Sequence, residues 1–215
     1  MIAATPKPLS APNVVPFAFG LKPGTVNGEI LLNLDSEDEG ELYIGCAGGM
    51  DVTASLEYKE VAPEEGDIAI RVNLKGLRGG HSGLEINQGR ANANKLLVRF
   101  IREAVATYEA RLASWEGGNM RNAIPREAHA VVTIPVENEE ELLALVKYCE
   151  DLFNEEFKEI ETPISFTAER VELPAGEVPE EIQDNLIDAT FQSGMNYFHC
   201  LFCTKLLLVR FLHSM

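Results

Sequence analysis

A chain of 215 residues, 46% of them hydrophobic and 24% charged, has the composition of a packed globular protein with one or two small domains. Its 34 acidic residues against 18 Lys and Arg give a formal net charge of −16, which argues against nucleic acid or an anionic membrane surface as a partner, because both repel a polyanion. The sequence shows no apolar run near the roughly 18 residues of a membrane span and no secretory signal pattern, and four scattered cysteines argue against a disulfide framework. We therefore expect a cytoplasmic protein.

The two ends of the sequence differ in composition from the acidic middle. Residues 1–28 contain no acid but five of the eleven prolines, which indicates an irregular, linker-like segment. Residues 186–215 contain a single acid, Asp188, and many apolar side chains. Two interpretations of this tail stay open: a C-terminal helix that docks on another surface, or a sequence that has left its natural reading frame shortly after Ala189.

The first half of the chain predicts strands and one long helix. Residues 29–35, EILLNLD, are a short apolar run typical of a buried strand, and residues 41–49 predict a second strand that ends in glycines. Residues 66–74 alternate with period two, which predicts a strand with one buried face. Apolar residues at helical spacing predict a helix over about 88–115, ended by the glycine pair at 117–118.

The second half completes a recognisable order of elements. A short strand is predicted at 119–125 and a longer one at 127–136. A helix follows over about 139–157, with Asn138 as N-cap and Glu141 as the capping-box acid, and a last strand covers 164–173. The order from residue 66 onward is β-α-β-β-α-β, which predicts an α+β fold with a ferredoxin-like domain.

These patterns divide the chain into four parts. We expect an irregular segment at 1–28, a partial strand segment at 29–65, the ferredoxin-like domain at 66–175, and a further segment with the atypical tail at 176–215.

The most specific motif is GLRGGHSGLEIN at 76–87, in which four glycines surround His81 directly after a strand. Glycines permit positive φ and close backbone approach, so this loop is built for an unusual conformation. A histidine on such a loop can donate a hydrogen bond to a developing oxyanion. The alternative is an ordinary strand-to-helix turn whose histidine is only solvated.

Other candidate residues carry weaker signals. Asp35 ends the strand at 29–35, where metal sites often assemble in α/β proteins, although a solvated acidic loop is the alternative and one carboxylate does not hold a catalytic metal. Arg121 and Asn122 offer guanidinium and amide groups that could bind a substrate carboxylate, against the alternative of a plain β-edge. His129 lies within a predicted strand and is expected to be packed or solvent-facing.

Three motifs occur one after another along the chain: LLNLDSEDEGELYIGCAGG, GLRGGHSGLEINQGRANANKLL and GGNMRNAIPREA. Together they resemble the motifs of the aminoacyl-histidine dipeptidases, which are dinuclear zinc metallopeptidases of the aminoacylase/carboxypeptidase class. The resemblance implies a catalytic α/β domain, of which residues 29–65 would be a partial strand segment and residues 176–215 a remnant, and an inserted ferredoxin-like lid that mediates homodimerisation. It also implies that Asp35 is a metal ligand and that His81 stabilises the tetrahedral intermediate, commonly across the dimer. Asn122, with Arg121, would contact the dipeptide substrate.

The sequence also departs from this family. Before Asp35 there is no histidine, and the one acid is Glu29, whereas the family places most of its zinc ligands and its general base in that region. We therefore expect the lid portion of an Xaa-His dipeptidase, with weak or partial zinc binding and no activity alone. The alternative is a non-enzymatic dimerisation or partner-binding module.

Overall fold

The computed structural model describes the backbone of residues 22–25, 27–30, 39–41, 49–81, 85–120, 122–192, 198–203 and 206–214, and the side chains of these residues except 49–56 and those beyond 192. The chain divides into two compact units, residues 1–46 and 47–215. Most of the predicted strand at 29–35, and most of the one at 41–49, lies outside the described residues.

The second unit contains nine strands and three α-helices among its described residues. The strands are β1 (Gly49–Glu57), β2 (Asp67–Lys75), β3 (Gly80–His81), β4 (Arg111–Gly117), β5 (Ala123–Ile124), β6 (Ala128–Pro135), β7 (Ser165–Val171), β8 (Phe198–Cys203) and β9 (Leu206–Ser214). The helices are α1 (Ala93–Tyr108), α2 (Glu139–Glu156) and α3 (Glu180–Gln192), and 3-10 turns lie at Ile86–Gln88 and Val136–Asn138. No described helix is long and apolar enough to cross a membrane.

Seven strands form one sheet in the order β1-β9-β8-β4-β6-β2-β7, and every described pairing is antiparallel. Its β4-β6-β2-β7 part, together with α1 and α2, follows the predicted β-α-β-β-α-β order along the chain. β2, the first strand of that order, lies beside β7, the last. The α+β, ferredoxin-like prediction is therefore confirmed.

The core lies between this sheet and the helices. Phe100 of α1, Phe153 of α2 and Phe166 of β7 are buried together, and the Phe100 and Phe166 rings meet edge to face at 5.1 Å between centroids. In α2, the residues predicted to point inward, Leu142, Leu145, Val146, Cys149 and Phe153, are buried or packed against this core. Burial of these apolar faces is the main force that holds both helices on the sheet.

The boundaries predicted for the first helix and the following strand are wrong. The helix ends at Tyr108, where Glu109 adopts a left-handed conformation with φ of 54°, and residues 111–117 form β4 rather than helix. A β-bulge between Leu112 and Ser114 places Leu112 and Trp115 on the buried face three residues apart. Because buried residues three positions apart are also typical of a helix, the sequence does not show the period of two that indicates a strand. The strand predicted at 119–125 is reduced to β5.

Two further predictions were wrong in detail. The side chain of Asn138 does not cap α2; instead its amide donates to the Tyr108 carbonyl oxygen at 3.1 Å. In the tail, α3 ends at Gln192 and the described residues beyond it pair as β8 and β9, so the tail does not continue as a helix. Whether it has left its natural reading frame stays a prediction.

Candidate functional site

The glycine-rich loop after β2 is fixed at both ends by one carboxylate. Glu161, just beyond α2, accepts the Arg78 backbone N–H on Oε2 at 2.7 Å and the Ala91 N–H on Oε1 at 2.8 Å. Arg78 Nη1 also donates to the Ile160 carbonyl oxygen at 3.0 Å, and the Thr162 hydroxyl donates to the Gly76 carbonyl oxygen. The segment that follows α2 therefore sets the path of the loop.

Inside this loop, β3 pairs with β5 across about forty residues of sequence. Gly80 lies opposite Ile124 and His81 opposite Ala123 in an antiparallel two-stranded sheet. This pairing brings the histidine loop beside the turn that contains Asn122. A two-residue strand has few ladder hydrogen bonds, so its position also depends on side chains around it.

Those side chains are Glu85 and Arg90. The His81 backbone N–H donates to Glu85 Oε2 at 2.7 Å, and Glu85 Oε1 lies 2.6 Å from Arg90 Nη2. Arg90 Nη1 donates to the Gly79 carbonyl oxygen at 2.6 Å. The hydrogen bond from the His81 backbone, followed by the charge of Arg90, lowers the pKa of the Glu85 carboxyl from its ordinary value.

An open groove of about 710 Å³ lies where the histidine loop meets the segment around β5. His81 and Asn122 both line it, as do Arg78 and Arg126, whose guanidinium groups suit an anionic ligand. His129 of β6 lies on the same groove, with Nε2 3.3 Å from a carboxylate oxygen of Glu116. Whether it is only a packed or solvent-facing residue there stays a prediction.

The start of α1 supports both walls of the groove from behind. Asn92 caps the helix by accepting the Asn94 N–H at 2.9 Å, and the Ala93 N–H donates to the Pro125 carbonyl oxygen at 2.9 Å. The Asn94 amide donates to the Gly117 carbonyl oxygen at 3.0 Å. One helix end thus connects the β4 wall with the β5 wall.

The structure brings together two of the four residues predicted from the motifs. His81 and Asn122 share the groove, whereas Asp35 and Arg121 lie outside the described residues. Sequence reasoning missed the structural roles of Glu85 and Arg90. A usable signal was present, since these two and Arg78 are the only Asp, Glu, Lys or Arg residues between 76 and 90.

Metal ligands do not converge in the described part of the chain. Among those residues there is no group of three or more His, Cys, Asp or Glu side chains that could hold a metal ion. The two histidines of the groove stand near Glu85 and Glu116 without forming such a group. The described residues therefore do not fit a catalytic zinc site, which needs about three protein ligands.

Comparison with known proteins shows what this region of the chain is similar to. The family model described as a peptidase dimerisation domain matches residues 72–161, which run from β2 to the segment beyond α2. Over residues 72–161 this chain is therefore similar to a peptidase dimerisation domain. The matched region contains the histidine loop and both walls of the groove, and the match confirms the resemblance that the three motifs indicated.

Two longer proteins contain a similar region. The structure of the aminoacylhistidine dipeptidase of Vibrio alginolyticus matches 91% of this chain and 43% of its own, with a TM-score of 0.75 and 37% identity. The cytosol non-specific dipeptidase of Escherichia coli (strain K12) is 42% identical over 154 residues, which are 72% of this chain and 32% of that protein. The chain thus spans about a third of the curated relative's length and under half of the solved structure's.

Proposed function

We propose that this chain is the lid and dimerisation portion of a metal-dependent dipeptidase that hydrolyses Xaa-His dipeptides in the cytoplasm. The observation that carries the proposal is the β3–β5 pairing, which places His81 and Asn122 on one groove within a peptidase dimerisation domain. The relatives' names support a dipeptide as the substrate class. Nucleic acid and membranes are not expected partners of so acidic a chain.

His81 is proposed to stabilise the oxyanion of the tetrahedral intermediate. Its backbone N–H donates to Glu85 and the residue lines the groove, so its contribution to the substrate would come from the imidazole. A donor aimed at developing negative charge lowers the barrier of acyl transfer to water. In a homodimer formed through this domain, His81 would reach the catalytic centre of the partner subunit.

Asn122 and Arg121 are proposed to contact the substrate. Asn122 lies in the exposed turn before β5, on the groove. An amide and a neighbouring guanidinium can bind a dipeptide carboxylate through several hydrogen bonds at once. Arg78 and Arg126 also line this groove, and their positive charge would favour an anionic substrate end.

Asp35 is proposed as one ligand of a zinc site whose other ligands lie outside this set of described residues. Zinc in such sites polarises a carbonyl and activates water. One carboxylate does not retain a catalytic zinc ion. We therefore propose that these 215 residues alone bind zinc weakly and do not hydrolyse dipeptides.

The test uses the chain alone and a chimera. In the chimera, residues 67–175 replace the aligned domain of the Escherichia coli relative, and release of histidine from Xaa-His dipeptides, β-alanyl-histidine included, is followed by chromatography with zinc, cobalt or manganese. We expect hydrolysis by the chimera, a loss of roughly 100-fold in kcat with His81→Ala, and near-parental kcat with His129→Ala, which changes the other groove histidine.

The chain alone should release no more histidine than its Asp35→Ala, His81→Ala double variant, and light scattering should give the mass of a dimer. Full activity of the His81→Ala chimera would overturn the role of His81. Metal-dependent hydrolysis by the chain alone would overturn its assignment as an incomplete enzyme.

A further inference from the structure

We propose that Glu85 and Arg90 are positioning residues that hold the backbone of His81 so that its imidazole is presented to the groove. The inference rests on the proposed function of His81. It concerns two residues that line no part of the groove themselves, since the groove is formed by 78–81, 116–120, 122–127 and 129 among the described residues.

The pair holds two consecutive peptide groups, one on each side of Gly80. The carbonyl of the 79–80 peptide accepts from Arg90 Nη1 at 2.6 Å, and the N–H of the 80–81 peptide donates to Glu85 Oε2 at 2.7 Å. The remaining Glu85 oxygen binds Arg90 Nη2 at 2.6 Å, which closes the arrangement. Both peptide groups that flank Gly80 are therefore bound to charged side chains.

The fit against Gly80 is close enough to require glycine. Gly80 has φ of +149°, and a Cβ atom there would lie 2.6 Å from Arg90 Nη1 and 2.8 Å from Glu85 Oε2. The ion pair thus fills the space that a side chain at residue 80 would occupy. The glycine of the motif and the two charges form one unit.

This pair differs from an ordinary surface ion pair. The side chains of Arg90 and Glu85 are 15% and 32% exposed, and Arg90 uses both terminal nitrogens in a fixed fork. The Arg99–Glu156 pair between α1 and α2 has a similar length, 2.8 Å, but is 33% and 42% exposed and does not bind the loop. Exposed ion pairs contribute little to the free energy of unfolding, so the Arg99–Glu156 pair is a matched control.

The test is made by NMR on the isotope-labelled 215-residue chain. Glu85→Gln removes the charge, Arg90→Lys keeps the charge but loses the two-pronged fork, and Glu156→Gln breaks the control pair. Three quantities are measured. The first is the hydrogen-exchange rate of the His81 amide, and the second is the change of its amide proton chemical shift with pH. The third is the relaxation of the His81 ring, compared with that of the His129 ring in the same groove.

We expect Glu85→Gln and Arg90→Lys to accelerate exchange of the His81 amide at least about 10-fold, the effect of losing a bond to a charged group, and to increase motion of its ring while the His129 ring is unchanged. In the parent chain the His81 amide shift should follow protonation of Glu85 below the usual carboxyl range, and Glu85→Gln should abolish this titration. Glu156→Gln should leave all three readouts as in the parent.

Unchanged His81 signals in the two folded variants would overturn the proposal. If Glu85→Gln does not fold, Arg90→Lys decides alone, because it retains the charge and the aliphatic stem. Failure of the proposed function is separate: it would appear as a fully active His81→Ala chimera, even when Glu85 and Arg90 are shown to order the loop.

Discussion

The indole Nε1 of Trp115 donates a hydrogen bond to the Asn94 carboxamide oxygen at 3.0 Å, and both side chains are fully buried. The same carboxamide donates through its nitrogen to the Gly117 carbonyl oxygen. Asn94 therefore joins the first turn of α1 to two points of β4, and the second of these points lies on the wall of the groove. A residue outside the groove thus determines the position of its wall.

Replacement of Asn94 by Ala should destabilise the chain by about 2–4 kcal/mol, because a buried indole N–H and a buried carbonyl each lose a partner. Urea unfolding followed by the fluorescence of Trp115, which is the only tryptophan, measures the change. Asn87→Ala, at an exposed position, should cost less than about 0.5 kcal/mol. Equal losses for the two variants would contradict the role of Asn94.

Replacement of Gly80 by Ala should unfold or displace the histidine loop, because the new Cβ would collide with Arg90 and Glu85. Gly66→Ala is the matched control: its φ is +99°, and nothing lies within 4 Å of the position that its new methyl group would take. Both variants carry backbone strain of about 1–3 kcal/mol. Urea unfolding measures how much more stability Gly80→Ala loses than Gly66→Ala, and this difference is the cost of the collision. If the two variants lose the same amount, the ion pair moves aside freely.

Glu177 links protonation to stability. It is 3% exposed; burial raises the pKa of its carboxyl, against the opposing hydrogen bond from Thr133 and the charge of Arg111. A raised folded-state pKa means that the carboxyl contributes stability below its unfolded pKa, and that this contribution is lost as pH rises through the folded pKa. The parent chain should therefore lose stability relative to Glu177→Gln as the pH rises from the ordinary carboxyl pKa of about 4 through the raised folded-state pKa.

Urea unfolding at pH 4, 6 and 8 tests this expectation. Glu140→Gln, at an exposed position on α2, corrects for the loss of one negative charge from an acidic chain. A stability difference between parent and Glu177→Gln that stays constant with pH, or moves the other way, would contradict the effect of burial on Glu177.

Lys95 should hold the end of α3. Its Nζ donates to the carbonyl oxygens of Thr190 and Phe191 at 2.7 and 3.0 Å, where a helix has unpaired carbonyls and favours a cation. Lys95→Met should accelerate amide exchange in the last turn of α3 about 5-fold, the equivalent of roughly 1 kcal/mol. Lys147→Met, on the exposed face of α2, should leave that exchange unchanged. An equal acceleration in both variants would contradict the role of Lys95 at the end of α3.

The sequence predicted some elements well and others poorly for identifiable reasons. The strand β2 and the helix α2 were predicted within about one residue, because each keeps one period of buried positions along its length. The end of α1 was wrong because the bulge in β4 sets Leu112 and Trp115 at helical spacing. The Asn138 cap failed because a tertiary partner, the Tyr108 carbonyl, binds the side chain that the local motif would use.

The sequence by itself determined the β-α-β-β-α-β order and singled out the histidine loop as unusual, since periodic burial and glycine content are properties of neighbouring residues. Only the tertiary structure decided that His81 and Asn122 share a groove, that Glu161 and Arg90 hold the loop, and that the tail pairs as strands. The contacts of Glu161 join residues up to 83 positions apart, and the pairing of the tail with β1 joins Gly49 to Ser214. Their formation depends on long-range packing and on which backbone groups lack a local partner, and neither quantity is written in any short stretch of sequence.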